Sequence, residues 1–215
     1  MTSQGVRDPI GSVIGSLHLA IVMSDKKTSD EFKKMGIRDS KLLTPGRREQ
    51  LASKIKKMAD YGLVKVSPDK IDSRFSDGSN LNWLEGRKMA DLINKYKPDI
   101  IYIDCPSTNI KKFKGFLKAR LDYEPELVVE HKADQSYPVV SAASILAKVS
   151  RDSEIAKLGK EIGIHCGSGY SSDPIAIKAV KKMLHTPLEK YIRKSWYTYY
   201  RIKEEKEQRK LGDFK

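Results

Sequence analysis

Apolar residues recur along the chain at two different spacings, and the changes between those spacings mark out the elements. In GSVIGSLHLAIVMS (11–24), Leu17, Leu19 and Ile21 fall at every second position, the period of a strand with these three on one face. In LTPGRREQLASKIKKMAD (43–60), Leu51, Ile55 and Met58 repeat at helical spacing. Thr44 suits its N-cap and Pro45 its first turn, where a missing N–H costs nothing. GLVKVS (62–67) reads as a strand and the polar IDSRFSDGSN (71–80) as a loop. A helix then follows with Trp83, Gly86, Ala90 and Ile93 on one side. PDIIYIDCP (98–106) is a continuous apolar strand that stops at Asp104. IKKFKGFLKARL (110–121) is an amphipathic helix through Ile110, Phe113, Leu117 and Leu121, and ELVVEH (126–131) a strand ending just before Asp134. From Val139 to Val149 the run is almost wholly apolar or small, so the helix opened by Pro138 is buried on most sides. Beyond the loop GIHCGSGYSSDP (163–174) the chain is mostly helical.

This order predicts the α/β class. The early strands pair as a hairpin, and the later strand–helix alternation gives parallel neighbours. The result is a mixed sheet flanked by helices, over residues 1–177, followed by a basic C-terminal helical extension over 178–215. In open sheets of this kind the functional cleft lies at the carboxyl ends of the strands, where Asp104 and Asp134 fall. A chain of 215 residues buries one sizeable core. It has no apolar stretch long enough to span a bilayer and no signal-peptide pattern. Cys105 and Cys166 give neither a disulfide framework nor paired metal spacing, which points to the reducing cytoplasm.

Charge narrows the partner. The net charge is +13 and the isoelectric point about 9.5. Residues 178–215 hold 12 Lys/Arg against 5 Asp/Glu and so supply +7 of it. A clustered excess of this size fits a polyanion such as nucleic acid, although a solvated Lys-rich surface produces the same count.

Asp104 and Asp134 then acquire a chemical meaning. Converging carboxylates repel unless a cation lies between them, and Mg²⁺ or Mn²⁺ prefers oxygen donors. Two such ions roughly 3.5–4 Å apart activate a water and stabilise a leaving oxygen in phosphodiester hydrolysis. The plainer readings are a turn former, a helix cap, or an acid complementing a helix dipole at about 0.3–1 kcal/mol.

Residues 131–152, HKADQSYPVVSAASILAKVSRD, resemble the signature helix of ribonuclease HII, the type 2 ribonucleases H, in its archaeal form. IRDSKLLTPGRRE (37–49) is similar to the Asp-Ser-Lys segment of that family and IIYIDCP to its acid-bearing strand. GSGYSSDP (167–174) resembles its substrate-reading loop and IRKSW (192–196) its C-terminal region. The resemblance implies a ribonuclease H-like fold and a monomeric, Mn²⁺- or Mg²⁺-dependent endonuclease with a two-metal site. The implied substrate is an RNA/DNA hybrid, or DNA with embedded ribonucleotides, cut to leave a 5′ phosphate and a 3′ hydroxyl. By position, Asp104 and Asp134 match two of four metal-binding acids. Tyr170 matches the tyrosine on the sugar at the ribonucleotide–deoxyribonucleotide junction, and Arg38, Ser40 and Lys41 a phosphate-facing segment.

The resemblance breaks at GVRDPIGSVIG (5–15). The family has Gly-hydrophobic-Asp-Glu-Ala-Gly-x-Gly there, and this chain is one residue short. Anchored on Gly5 and VIG (13–15), Arg7 falls where the first Asp belongs and Asp8 where the Glu belongs; with a further gap, Asp8 takes the first place and Pro9 that of the Glu. Either way one acid is missing and Asp8 is the third candidate catalytic and metal-binding acid. The Gly-x-Gly backbone that reads the ribose hydroxyl is reduced to Ile10-Gly11, leaving Gly11 as the candidate contact. A hybrid-binding protein with impaired catalysis is the alternative this implies. Among the remaining residues, Cys105 reads as buried filler, Asp173 as a cap, and His131 as a polar side chain at a strand end. Trp196, Tyr197, Tyr199 and Tyr200 read as tail-helix packing, with base stacking as the alternative.

Overall fold

Pro138 and Pro45 each open a helix, a place their fixed φ and missing N–H suit, and the apolar runs between the helices pair as strands. The computed structural model describes residues 11–37 and 43–212. In chain order these form β1 (Leu17–Val22), α1 (Lys26–Lys34), α2 (Pro45–Met58), β2 (Tyr61–Val66), α3 (Pro68–Asp72) and α4 (Leu81–Tyr96). Then come β3 (Ile100–Asp104), α5 (Ile110–Lys118), β4 (Glu126–Glu130), α6 (Ala133–Ser136), α7 (Pro138–Ile162), α8 (Pro174–Met183) and α9 (Tyr197–Gly212). Short 3₁₀ helices occupy Ser73–Asp77 and Pro187–Tyr191. Among the described residues the strands pair as β1 with β2 and β3 with β4. The Met23 N–H donates to the Asp60 carbonyl, so the end of β1 meets the start of β2, but α1 and α2 lie between the two strands, so they pair without forming the expected hairpin. β3 and β4 run parallel, with Ile100 opposite Glu126 and Asp104 opposite Glu130. No described helix is long and apolar enough to cross a membrane.

The chain divides into two compact units. One contains His18–Lys65 and Gly78–Ser150; the other contains the described residues up to Leu17, Val66–Asp77 and those from Arg151 onward. In the first unit, Val22, Phe32, Leu51, Ile55, Ala142, Ile145 and Leu146 form one apolar cluster. Ile101, Ile103, Phe113, Leu117, Leu127 and Val129 form another, with Ile21 packed against it. In the second, Trp196 is fully buried, with the guanidinium groups of Arg74 and Arg193 at 5.4 and 5.0 Å from its ring centroid.

Three local expectations change. The alternation in β1 predicts one buried face of Leu17, Leu19 and Ile21; instead His18 and Val22 are its most buried residues, because apolar clusters cover both faces. Met58 is 38% exposed at the end of α2, and Ala52 takes its place in the core. The polar stretch 71–80 is not an open loop. Pro68 nucleates α3, Ile71 is buried, and both Asp72 carboxylate oxygens accept backbone N–H groups of Lys194 and Ser195 at 2.9 Å.

Candidate active site

Asp104 is the last residue of β3 and Asp134 lies in α6, the single helical turn that follows β4 and packs against β3. The parallel register puts Asp104 opposite Glu130, four residues before Asp134, so both acids sit at the carboxyl end of one strand pair. Lys132 takes a left-handed conformation, φ 58°, and this turn redirects the chain into α6. Asp134 therefore has a helical turn of its own rather than standing at the mouth of α7, which begins at Pro138. α7 behaves as its composition demands, with no exposed residue between Val139 and Val149.

The two acids differ in environment. Asp104 is exposed, whereas Asp134 is 4% exposed, a burial that an ionised carboxylate sustains only with pairing, hydrogen bonds or a cation. Their oxygens suit a hard divalent ion. Among the described residues no group of three His, Cys, Asp or Glu side chains could hold a metal ion. The third expected acid, Asp8, lies outside the described residues, as do Arg38, Ser40 and Lys41. The donor chemistry of Asp104 and Asp134 fits Mg²⁺ or Mn²⁺. Beside them, the Tyr137 ring packs at a 31° tilt against Tyr102 with centroids 4.4 Å apart, and its hydroxyl donates to Glu130 at 3.0 Å. That hydrogen bond holds the Tyr137 phenol above its ordinary value. Burial pushes the Cys105 thiol up, as befits core filler, and the His131 ring meets the Cys105 carbonyl at 3.4 Å.

In the other unit, Gly11 and Tyr170 come together. Ser12 and Tyr170 form an antiparallel bridge, and the Gly169 carbonyl accepts from Val13 N at 2.7 Å and from the Ser12 hydroxyl at 2.8 Å. Gly169 adopts φ +75°, and a Cβ there would lie 2.7 Å from the Ser12 oxygen, so this approach requires glycine. Asp173 knots the loop, accepting Ser168 N and Oγ at 2.7 Å and capping α8 through Ile175 N at 2.8 Å. The backbone N–H of Ser168, with these other bonds, lowers its pKa.

The residues that sequence reasoning missed are Arg151, Asp152 and Ser12. Arg151 lies over the Tyr170 ring, 4.4 Å from its centroid, and donates to its hydroxyl, while Asp152 pairs with the same guanidinium. Nothing in helical periodicity distinguishes this Arg from a surface cation. In the tail, Trp196 and Tyr199 are buried packing residues, whereas Tyr197 and Tyr200 are 54% and 53% exposed.

Known proteins resemble this chain over most of its length. The family described as Ribonuclease HII matches residues 10–199. A Ribonuclease HII from Pyrococcus furiosus is 42% identical over 199 residues, covering 90% of this chain and 87% of its own. The crystal structure of the ribonuclease H2 from Pyrococcus horikoshii OT3 superposes with a TM-score of 0.80 at 40% identity, covering 91% of this chain and 93% of that one. The structure of a PCNA:RNase HII complex from Archaeoglobus fulgidus gives 0.73 at 39% identity over 81% and 82%. The fold, the two strand-end acids and the Gly-Ser-Gly-Tyr loop all lie within the matched residues, and the chain belongs to the ribonuclease HII family.

Proposed function

We propose that this protein is a divalent-metal-dependent endoribonuclease acting on RNA/DNA hybrids and on ribonucleotides embedded in DNA. It cuts on the 5′ side of a ribonucleotide, leaving a 3′ hydroxyl and a 5′ phosphate, and works as a cytoplasmic monomer in DNA replication and repair. The observation that carries this reading is the placement of Asp104 and Asp134 together at the carboxyl end of the β3–β4 pair.

Asp104 and Asp134, with Asp8, would hold Mg²⁺ or Mn²⁺; when bound, the ion supplies an activated water and stabilises the leaving oxygen. Tyr170 packs against the sugar at the junction and the Gly11 backbone meets the ribose hydroxyl. Arg38, Ser40 and Lys41 meet phosphates, in interactions that position rather than specify. The extension over 178–215 adds backbone grip, and the PCNA partner of the Archaeoglobus relative is carried over as part of the same proposal.

One sequence observation favours a second reading. The segment 5–11 is one acid short of the family pattern in either register, and with Gly5 as anchor Arg7 takes the place of that acid, which favours a hybrid-binding protein with impaired cleavage. A cleavage assay on DNA containing one ribonucleotide, with Mn²⁺ and with Mg²⁺, decides between them. Incision at the ribonucleotide is expected; tight binding without incision transfers the conclusion to the second reading. Replacing residues 6–11 by Asp-Glu-Ala-Gly-x-Gly then raises hydrolysis strongly if the altered segment is the limiting defect.

A further inference from the structure

We infer that Arg151 is the positioning residue for Tyr170, holding its ring so that the site prefers a ribonucleotide junction; this rests on the reading of Tyr170 as the sugar-facing residue. The guanidinium carbon lies 4.4 Å from the ring centroid, and Nη1 donates to the Tyr170 hydroxyl. The Arg151 Nε donates to Asp152 Oδ1 at 3.0 Å, and Nη2 pairs with the same oxygen. The Arg151 and Asp152 side chains are only 15% and 33% exposed.

This geometry has several physical consequences. The guanidinium is fixed from two sides, by a carboxylate on one edge and a phenol on the other, so its plane is set. The ring is in turn restrained at its face by a cation and at its hydroxyl by a hydrogen bond. A sugar then meets a ring whose rotational freedom is already reduced, and binding does not bear that ordering cost. The Arg151 charge is also compensated by Asp152, which makes a role as an isolated phosphate clamp unsuitable. Lysine cannot substitute, because a single ammonium has no planar fork to satisfy Asp152 and Tyr170 together.

A phosphate-binding residue and a positioning residue give opposite results when charge is kept but shape is changed. The test is fluorescence anisotropy in chelator, which separates binding from cleavage. It uses a duplex carrying one ribonucleotide and an all-DNA duplex of the same sequence. The proteins are the parent, Arg151→Lys, Arg151→Ala, Tyr170→Ala and the Arg151→Lys/Tyr170→Ala double variant, each with a melting curve. The parent is expected to prefer the ribonucleotide duplex. Arg151→Lys should weaken that complex about tenfold, the scale of removing one stacked ring, and leave all-DNA binding unchanged. In the Tyr170→Ala background the Arg151 substitution should add nothing. If Arg151→Ala melts early, Arg151→Lys alone carries the result.

Retention of the preference by Arg151→Lys overturns the inference, as do equal losses on both duplexes or multiplying effects in the double variant. If Tyr170→Ala abolishes the preference while Arg151→Lys keeps it, only the Arg151 role is lost. A parent with no preference between the duplexes removes the Tyr170 reading, and the Arg151 role with it.

Discussion

Asp104 and Asp134 place the same functional group under opposite conditions, one exposed and the other 4% exposed. A carboxylate buried to that degree gains most from a cation, so binding is expected to be read out in stability. At a hundredfold excess over Kd, a metal that binds only the native state stabilises by about 2.7 kcal/mol. Mg²⁺ or Mn²⁺ should therefore raise the melting temperature, and Asp134→Asn or Asp104→Asn should remove most of that rise. A metal-induced shift unchanged in both variants would show that the ion sits elsewhere. At this scale the sequence was partly legible. It singled out both acids as candidates and put Asp104 at the end of its strand, but it did not foresee the separate helical turn that carries Asp134. It could not supply Arg151, whose importance comes from a tyrosine 19 positions away, across a turn that no periodicity records.

Among the elements, caps and turns were the most readable features. Thr44 caps α2 through Arg47 N, and Asp173 caps α8 through Ile175 N, both side chains of the cap-forming type. Face assignments were less readable. The β1 pattern named one buried face, yet Val22 and Ile21 belong to different apolar clusters, because a strand covered on both sides loses its alternation. The α8 cap gives a prediction with a definite sign. The Asp173 carboxyl is held below its ordinary value of 3.8, so the stability it contributes is present above that pH and is lost as pH falls through the lower folded value. Asp173→Ala should lower stability at neutral pH by about 0.5–2 kcal/mol, as for a missing N-cap. The gap between parent and variant should close in acid melts below the ordinary value. A gap constant with pH would mean that another group fixes the loop.

Across the whole molecule, the net charge suggested a polyanionic partner, in keeping with a ribonuclease family, but the tail uses part of its charge internally. Arg193 is buried against Trp196 and donates to the Gly15 and Ser16 carbonyls at 2.9 and 2.6 Å. Lys181 pairs with Glu205, and Lys206 reaches the Lys181 and Leu184 carbonyls behind α8. Deleting residues 178–215 would remove Trp196 and Ile202 from the core, so charge substitution is the cleaner probe. Lys178, Lys182 and Lys194 are exposed, and replacing them together with Ala should flatten the salt dependence of duplex binding by roughly one slope unit for each phosphate no longer neutralised. An unchanged slope would place the backbone-gripping cations elsewhere.

The bonds from Arg193 to Gly15 and Ser16 also impose an order in time. Their partners are separated by 178 and 177 positions, so the first described residues wait until almost the entire chain has left the ribosome. Closing so large a loop adds little to the equilibrium cost, which grows only logarithmically with length, but pairings this distant in sequence slow folding. During synthesis the segment bearing Gly11 is therefore an open end, and the loop bearing Tyr170 emerges before Arg193 secures that end. The closure of this end onto the C-terminal part of the chain is among the last steps that a newly made molecule completes.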